Sequence, residues 1–306
     1  KPKTAVPARD LFSALETPAA PAEGSLFDAP AYQTIDTVPH VYHTVTDEKA
    51  LRELAGRLEA SSEFCFDTET TGFDVFGDRL VGLSFAVEPF EAWYVPCDPA
   101  SLGQVLSILR PVFENERIAK IGQNVKFDLM VLRRLGIEVR GRKYDTMILH
   151  YLLDPESRHN MNALSEKYLN YRPIEIETLI GKGQKQLTMD LVNVERVKEY
   201  AAEDADITLQ LKRVLYPMVE RIGLERLYSE IEVLASIEMA GVRIDTAALA
   251  EYAVELNRRM AELEAAVDLA LQHDSRVVFE RFVQGQEVEC AVRGNDEVSG
   301  THPGEI

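Results

Sequence analysis

Residues 63–70 read EFCFDTET, an apolar strand that ends in two carboxylates one residue apart. Side chains alternate along a strand, so Asp67 and Glu69 leave the same face. Two like charges placed side by side are unfavourable unless a cation neutralises them. A chain carrying this segment therefore needs a sheet to bury the strand and a reason to keep both acids. An ordinary reading is also open, a strand end entering a loop where Asp, Thr and Gly are common.

The surrounding pattern supplies the sheet. Residues 79–87 and 92–96 are β-rich and follow across turn signals at Thr71-Gly72 and Glu88-Pro89, which predicts an antiparallel meander. Before it, HVYHTVTDEKALRELAGRLEA predicts a short strand running into a helix, with Thr46 or Asp47 as N-cap and Leu51, Leu54 and Leu58 on one face. After it, a helix over 102–113, a strand over 118–121 and a helix over 125–135 alternate, giving a sheet covered by helices. From Tyr144 to Tyr216 the pattern is mainly helical, interrupted by the loop PIEIETLIGKGQKQLTM. Helical periodicity resumes over 229–271 with one break at Val242-Arg243-Ile244, and VVFERFVQGQEVECAVRGN then alternates like a hairpin. Residues 1–33, rich in Pro and Ala and without periodicity, are expected to be a disordered linker. No internal repeat is present.

Composition narrows the function. Asp plus Glu outnumber Lys plus Arg by 51 to 33, which argues against gripping long duplex nucleic acid through a broad basic face. A short strand held at a metal centre remains compatible, because clustered carboxylates bind Mg²⁺ or Mn²⁺ and the cation reverses the local field. The 3 cysteines, Cys65, Cys97 and Cys290, form no C-x-x-C pair, so neither a disulfide framework nor a zinc knuckle is expected. No apolar run approaches the roughly 20 residues of a membrane span, and no signal segment opens the chain, so a cytoplasmic location is expected.

Two more segments carry carboxylates. In GQNVKFD, Asp128 falls in the first turns of a helix after a strand, with Asn124 as a plausible N-cap; dipole compensation is the bland reading. In YAAED, Tyr200 and Asp204 stand four apart and share a helix face, while Ala201 and Ala202 allow close approach of another element. Glu203 and Asp206 point elsewhere and read as solvated helix charges.

With D-x-E on a strand, N-x-x-F-D opening a helix and Y-x-x-x-D in a late helix, in that order, the sequence resembles the DEDD superfamily of 3′-5′ exonucleases. The subclass is the one marked by tyrosine. The likeness is nearest to the proofreading domain of bacterial family A DNA polymerase I, through FDTETTG, VGLSFAVEP, KIGQNVKFDLMVL, YDTMILHYLLDP, IGKGQKQLTM and YAAEDADITLQL, over about residues 40–245. The resemblance implies an α/β, ribonuclease H-like fold with a mixed five-stranded sheet flanked by helices. It further implies a two-metal phosphodiesterase, with cations about 3.5–4 Å apart stabilising the attacking and leaving oxygens. Asp67 is expected to bridge both ions, Glu69 and Asp204 to complete the first site, Asp128 to hold the second through water, and Tyr200 to orient the attacking water. For the substrate, a single-stranded or frayed 3′ DNA end, the resemblance implies contacts from Thr68, Phe73, Gln123, Asn124, Phe127 and Arg158. Phe73 also has a bland reading as loop core and Arg158 as a surface ion pair, with the functional reading favoured about two to one. Phe127 stands where relatives often have Tyr, and Ile176 where some carry an aromatic wedge. Gly181-Lys182-Gly183-Gln184-Lys185 lacks the spacing of a phosphate-binding loop and reads as a family-specific loop.

Residues 34–228 are thus expected to form the exonuclease domain, acting as a monomer with no membrane partner. Residues 229–271 resemble the opening of the polymerase domain, entering its thumb. Later polymerase motifs are missing from this sequence, so nucleotide addition is not expected of it. Residues 272–306 resemble a fragment of the ATP-grasp domain of D-alanine–D-alanine ligases, without the ATP-binding lysine or metal ligands, so no ligase activity is expected. A gene fusion, a cloning artefact or an assembly error would each produce such a joint. Two alternatives to an active DNA exonuclease stand beside it: a non-catalytic scaffold or nucleic-acid-binding module of the same fold, and an RNA-processing exonuclease.

Overall fold

The computed structural model describes residues 32–183, 186–224 and 231–274, together with the backbone of four residue pairs near the C-terminus. The linker expected over 1–33 lies almost wholly outside the described residues, as do Gln184, Lys185 and Cys290.

A sheet with the strand order β1-β4-β3-β2-β5-β6 forms the centre. Its strands are β1 (Val41–Thr44), β2 (Glu63–Thr70), β3 (Leu80–Glu88), β4 (Glu91–Pro96), β5 (Ala119–Gly122) and β6 (Lys143–Asp145). The predicted meander is present: β2 pairs antiparallel with β3, and β3 with β4. β1 joins β4, and β5 joins both β2 and β6, in parallel. The sheet is mixed, with six strands rather than five. The added strand is β6, where Tyr144 was expected to begin a helix; three residues are too few to show a period, and pairing with β5 decides the matter.

Alternation along β2 sorts its residues between two layers. Phe64 and Phe66 enter one core with Phe85 and Trp93, under α1 (Glu48–Ala60), α2 (Leu102–Phe113) and α3 (Lys126–Arg134). Leu51, Leu54 and Leu58 are the buried face of α1, and its cap is Asp47, whose carboxylate accepts from Ala50 N–H. Cys65 enters the opposite core, with Ile121, Leu149 of α4 (Thr146–Leu153), Leu164 of α5 (Met161–Leu169) and Ala202, Ala205 and Leu209 of α7 (Val194–Arg221).

The segment expected as one loop before α7 contains a short helix, α6 (Ile176–Ile180), and a 3-10 turn (Met189–Leu191). Leu179 and Met189 are pinned beneath Tyr94 and Ala201, which gives these turns their apolar anchor.

α7 corrects a second expectation. Every residue from Ala201 to Leu209 is buried, so Glu203 and Asp206 are not solvated. Glu203 accepts from the Tyr171 hydroxyl at 2.6 Å and Ile174 N–H at 2.7 Å; Asp206 accepts from the Tyr42 hydroxyl and Phe90 N–H, each at 2.9 Å. A buried carboxylate needs such donors, and these tie α7 to β1, to the β3-β4 turn and to the segment after α5.

The chain divides into two compact units, the first ending at Gly241. α8 (Ile231–Ala240) belongs to the first: Ile231 joins the core beside α3, and Glu232 pairs with the buried Lys143. In the second unit, α9 (Thr246–Leu271) is capped by Asp245 and has no buried residue. Beyond it, β7 (Val288–Glu289) pairs antiparallel with β10 (Gly304–Glu305), and β8 (Val292–Arg293) with β9 (Ser299–Gly300).

Candidate active site

β2, β5 and β6 are mutually parallel through β5, so their carboxyl ends meet at one edge of the sheet, where α/β sheets hold ligands. Asp67 and Glu69, on the face toward α7, meet Asp204 there. One oxygen from each of the three lies within 4.8 Å of the others. Thr68, between them, leaves the opposite face and meets α3: its N–H and hydroxyl donate to Asp128 Oδ1 at 2.9 and 2.5 Å. The same alternation that gathers three carboxylates on one side thus fixes the fourth from the other. The Tyr200 hydroxyl, one turn before Asp204, hydrogen-bonds its carboxylate.

The electrostatics of this cluster are unbalanced. Burial, with Asp67 and other nearby acids, pushes Glu69, Asp128 and Asp204 well above the usual carboxylate range, and burial pushes Asp67 up to about 7. Glu69 Oε1 and Asp204 Oδ1 are buried with no hydrogen-bond partner. Unpaired buried oxygens of this kind are costly, and among the described residues it is burial and other carboxylates that raise both groups, with no Lys or Arg among the causes. An all-oxygen donor set lacking protein counter-charge is the chemistry that hard divalent cations require, so the residues fit such a group. Tyr200 is held well above its ordinary value by burial and by Asp204, Glu69 and Asp67, so its hydroxyl keeps its proton.

Beside the cluster opens a cleft of about 460 Å³ lined by Asp67, Thr68, Glu69, Phe73, Gln123, Asn124, Phe127, Asp128, Tyr200 and Asp204, with Ile176, Ile180 and Leu187–Met189 opposite. Ten of the eleven residues singled out from the sequence therefore face one space. Phe73 is 89% exposed at its mouth, not loop core. Arg158 is the exception: it is exposed on the segment between α4 and α5 and does not line the cleft. The Thr68 hydroxyl donates to Asp128. Asn124 is not the side-chain cap of α3. It takes a left-handed φ of 54°, and the backbone N–H groups that open α3 are satisfied from elsewhere.

That elsewhere is Asp145, which sequence reasoning passed over. Its carboxylate accepts from Asn124 N–H at 3.0 Å and Val125 N–H at 2.9 Å, and it caps α4 through Met147 N–H at 2.9 Å. An Asp immediately before the helical run TMILHYLL was the available signal. Burial holds its carboxyl up at about 6 against those donors. Gly82 was also missed. It stands opposite Glu69 in the ladder, and a Cβ there would lie 2.3 Å from the Tyr94 hydroxyl oxygen, so only glycine lets that ring lie beside Glu69.

Comparison with known proteins agrees with this geometry. The 3′-5′ exonuclease family matches residues 42–220, and the D-ala D-ala ligase C-terminus family matches residues 222–306. The DNA polymerase I of Pseudomonas aeruginosa is 40% identical over 249 residues, covering 76% of this chain and 27% of that protein. That of Rhizobium leguminosarum is 34% identical over 283 residues, covering 82% and 28%. The chain thus spans a little over a quarter of the length of these relatives. Among solved structures, Brucella melitensis NrnC with bound Mg²⁺ shares the fold, with a TM-score of 0.52 and 19% identity over 67% of this chain and 95% of that one. Among the described residues no helix is long and apolar enough to cross a membrane. With the match spanning the whole sheet and α7, and the carboxylate cluster at the edge it frames, this chain belongs to the 3′-5′ exonuclease family found in bacterial DNA polymerase I.

Proposed function

We propose that residues 34–228 hydrolyse DNA from a single-stranded or frayed 3′ end, releasing nucleoside 5′-monophosphates, as the proofreading part of a DNA polymerase I acting in the cytoplasm. The observation that carries the reading is the convergence of Asp67, Glu69 and Asp204 within 4.8 Å with two orphaned oxygens. Asp67, Glu69, Asp204 and Asp128 would hold two divalent cations, Mg²⁺ or Mn²⁺. Once bound, such ions supply charge stabilisation to a phosphoryl group and acidify water.

The chain's own residues then divide the remaining work. Asp128 spends Oδ1 on Thr68, which leaves Oδ2 to face the cleft. Burial and the nearby carboxylates keep the Tyr200 hydroxyl protonated, so its part is to hold the water by hydrogen bonding. Placed beside Asp204, its hydroxyl oxygen keeps a lone pair that accepts a hydrogen bond from the attacking water and turns that water's own lone pair outward. Phe73, Phe127 and Ile176 offer apolar surface on which the terminal bases stack. The likeness to DNA polymerase I argues for DNA over RNA as the substrate. The D-ala D-ala ligase likeness brings no further activity to the proposal, and residues 229–271 and 272–306 are assigned as polymerase-like and ligase-like segments.

The test is digestion of a 5′-labelled single-stranded oligonucleotide with Mg²⁺ or Mn²⁺, against EDTA and Asp67→Ala. A ladder shortening from the 3′ end, abolished by EDTA, is expected, with Asp67→Ala slower by about three orders of magnitude or more and its circular dichroism unchanged. Wild-type turnover in Asp67→Ala would remove the metal assignment; a folded wild type with no metal-dependent ladder would favour the scaffold.

A further inference from the structure

α9 carries an apolar stripe that its own unit does not bury. The helix is 26 residues long and none of its side chains is buried. Leu249, Ala253, Leu256, Met260, Leu263, Val267 and Ala270 recur at alternating steps of four and three, the spacing that lines one seam of a helix when a second helix packs along it. Leu249, Leu256, Met260 and Leu263 are 54%, 44%, 49% and 63% exposed. The other side of the helix is ionic: Arg258 pairs with Glu255 at 2.9 Å and also with Glu262. A long exposed apolar stripe with a charged back marks an interaction surface, and its heptad period specifies that the occupant is another helix.

The residues beside the seam say which helix. With Leu249, Leu256 and Leu263 at the d positions, Tyr252, Arg259 and Ala266 fall at g, and Asn257, Glu264 and Leu271 at e. Two parallel copies in register set each g residue against the e residue five positions later in the other copy. Tyr252 then meets Asn257, Arg259 meets Glu264 and Ala266 meets Leu271, so a hydroxyl faces an amide, a cation an anion and an apolar group another. Two-fold symmetry forms each pairing twice. Sliding one copy by a heptad puts Arg259 against Leu271 or Asn257 and loses the ion pair. Antiparallel copies set g against g and e against e; Arg259 is the one charge at g and Glu264 the one at e, so the two never meet. Within its own helix Arg259 Nε pairs with Glu255 at 2.7 Å, and a guanidinium with five donors keeps that bond while taking a second carboxylate. Leucine at d with Val267 at a is also the choice that favours two parallel strands.

We propose that α9 is a dimerisation helix, whose seam binds the same seam of a second copy of this chain as a parallel, in-register coiled coil. The dimer takes the place of the monomer expected from the sequence. It uses no residue of the cleft and stands apart from the nuclease reading. Ala253 and Ala270 fill their layers less than leucine would, so association is reversible and follows protein concentration.

Sedimentation equilibrium of the full chain should show monomer and dimer in exchange. Leu256→Glu sets two carboxylates in one layer of the seam and should weaken the dimer about 100-fold; Leu256 is exposed in the single chain, so circular dichroism should not change. Arg259→Glu, a surface exchange, should weaken it about ten-fold, and Arg259→Glu combined with Glu264→Arg should restore it. Orientation is read from Leu249→Cys in a chain that also carries Cys290→Ser, Cys65 and Cys97 being buried. Mild oxidation should link two copies through residue 249, which a parallel register brings together and an antiparallel one sends to opposite ends. A chain that stays monomeric up to about 100 µM, a dimer unchanged by Leu256→Glu, or the absence of a cross-link at residue 249 would overturn the proposal.

Discussion

Tyr200 keeps its proton through burial and three nearby carboxylates, and that limits what removing its hydroxyl can cost. Tyr200→Phe keeps the ring and deletes one orienting hydrogen bond, so kcat is expected to fall about ten-fold rather than to background, with KM unchanged; turnover equal to wild type would exclude Tyr200 from the reaction. Gly82 is the sharper case. Gly82→Ala places a methyl 2.3 Å from the end of the Tyr94 side chain, and displacing that ring disturbs Glu69 on the neighbouring strand. Overpacking of this kind costs about 1–3 kcal/mol, and kcat should fall with the melting temperature; a variant as stable and active as wild type would show that Tyr94 yields without touching Glu69. Asp67, Glu69, Tyr200 and Asp204 were legible because they obey periods of two and four within single elements. Glu203 and Asp206 were not, since a helix period assumes one wet face and this part of α7 has none. Gly82 and Asp145 were not, because each acts on a neighbour distant in sequence: Gly82 on Tyr94, Asp145 on Asn124 and Val125.

At the scale of elements, β2 is the organiser, since its two faces recruit α7 and α3 to opposite sides of one strand end. The meander, α1 and the alternation of α2, β5 and α3 were all readable from apolar period and turn residues. β6 was hidden by its length, and the cleft wall formed by α6 and the 3-10 turn was hidden by a segment whose apolar residues meet Tyr94 and Ala201 rather than one another. α8 lies beyond 228, where the exonuclease domain was expected to end, yet Ile231 is 1% exposed and packs into the α3 layer. Its partners are pairs that a sequence pattern does not reveal, Glu232 with Lys143 and Glu238 with Lys126. Ile231→Ala should therefore destabilise the first unit by about 2–4 kcal/mol, read as a lower denaturant midpoint with unchanged m-value. A midpoint equal to wild type would mean that α8 adds nothing to this core.

For the molecule as a whole, the carboxylate cluster links folding, pH and metal. Burial pushes Asp67 up to about 7 in the folded chain against 3.8 ordinarily, and Glu69, Asp128 and Asp204 are raised as well by burial and by their acidic neighbours. A folded pKa above the unfolded one means that the folded state binds more protons over the interval between them. The resulting stability is complete below about pH 4 and is lost as pH rises through about 7. Divalent cations take over the neutralisation above that range and compete with protons within it. The melting temperature in EDTA should thus fall from about pH 5 to about pH 8, and the gap between samples with Mg²⁺ and with EDTA should widen over the same interval. Other raised carboxyls, Asp145 near 6 and Glu203 near 7, act in both samples and largely cancel in the difference. The gap therefore isolates the cluster. It should also collapse in Asp67→Asn, which removes one charge at constant shape. A gap independent of pH would mean that the acids are neutralised by something other than exchange between protons and metal, and the two-cation assignment would fall with it.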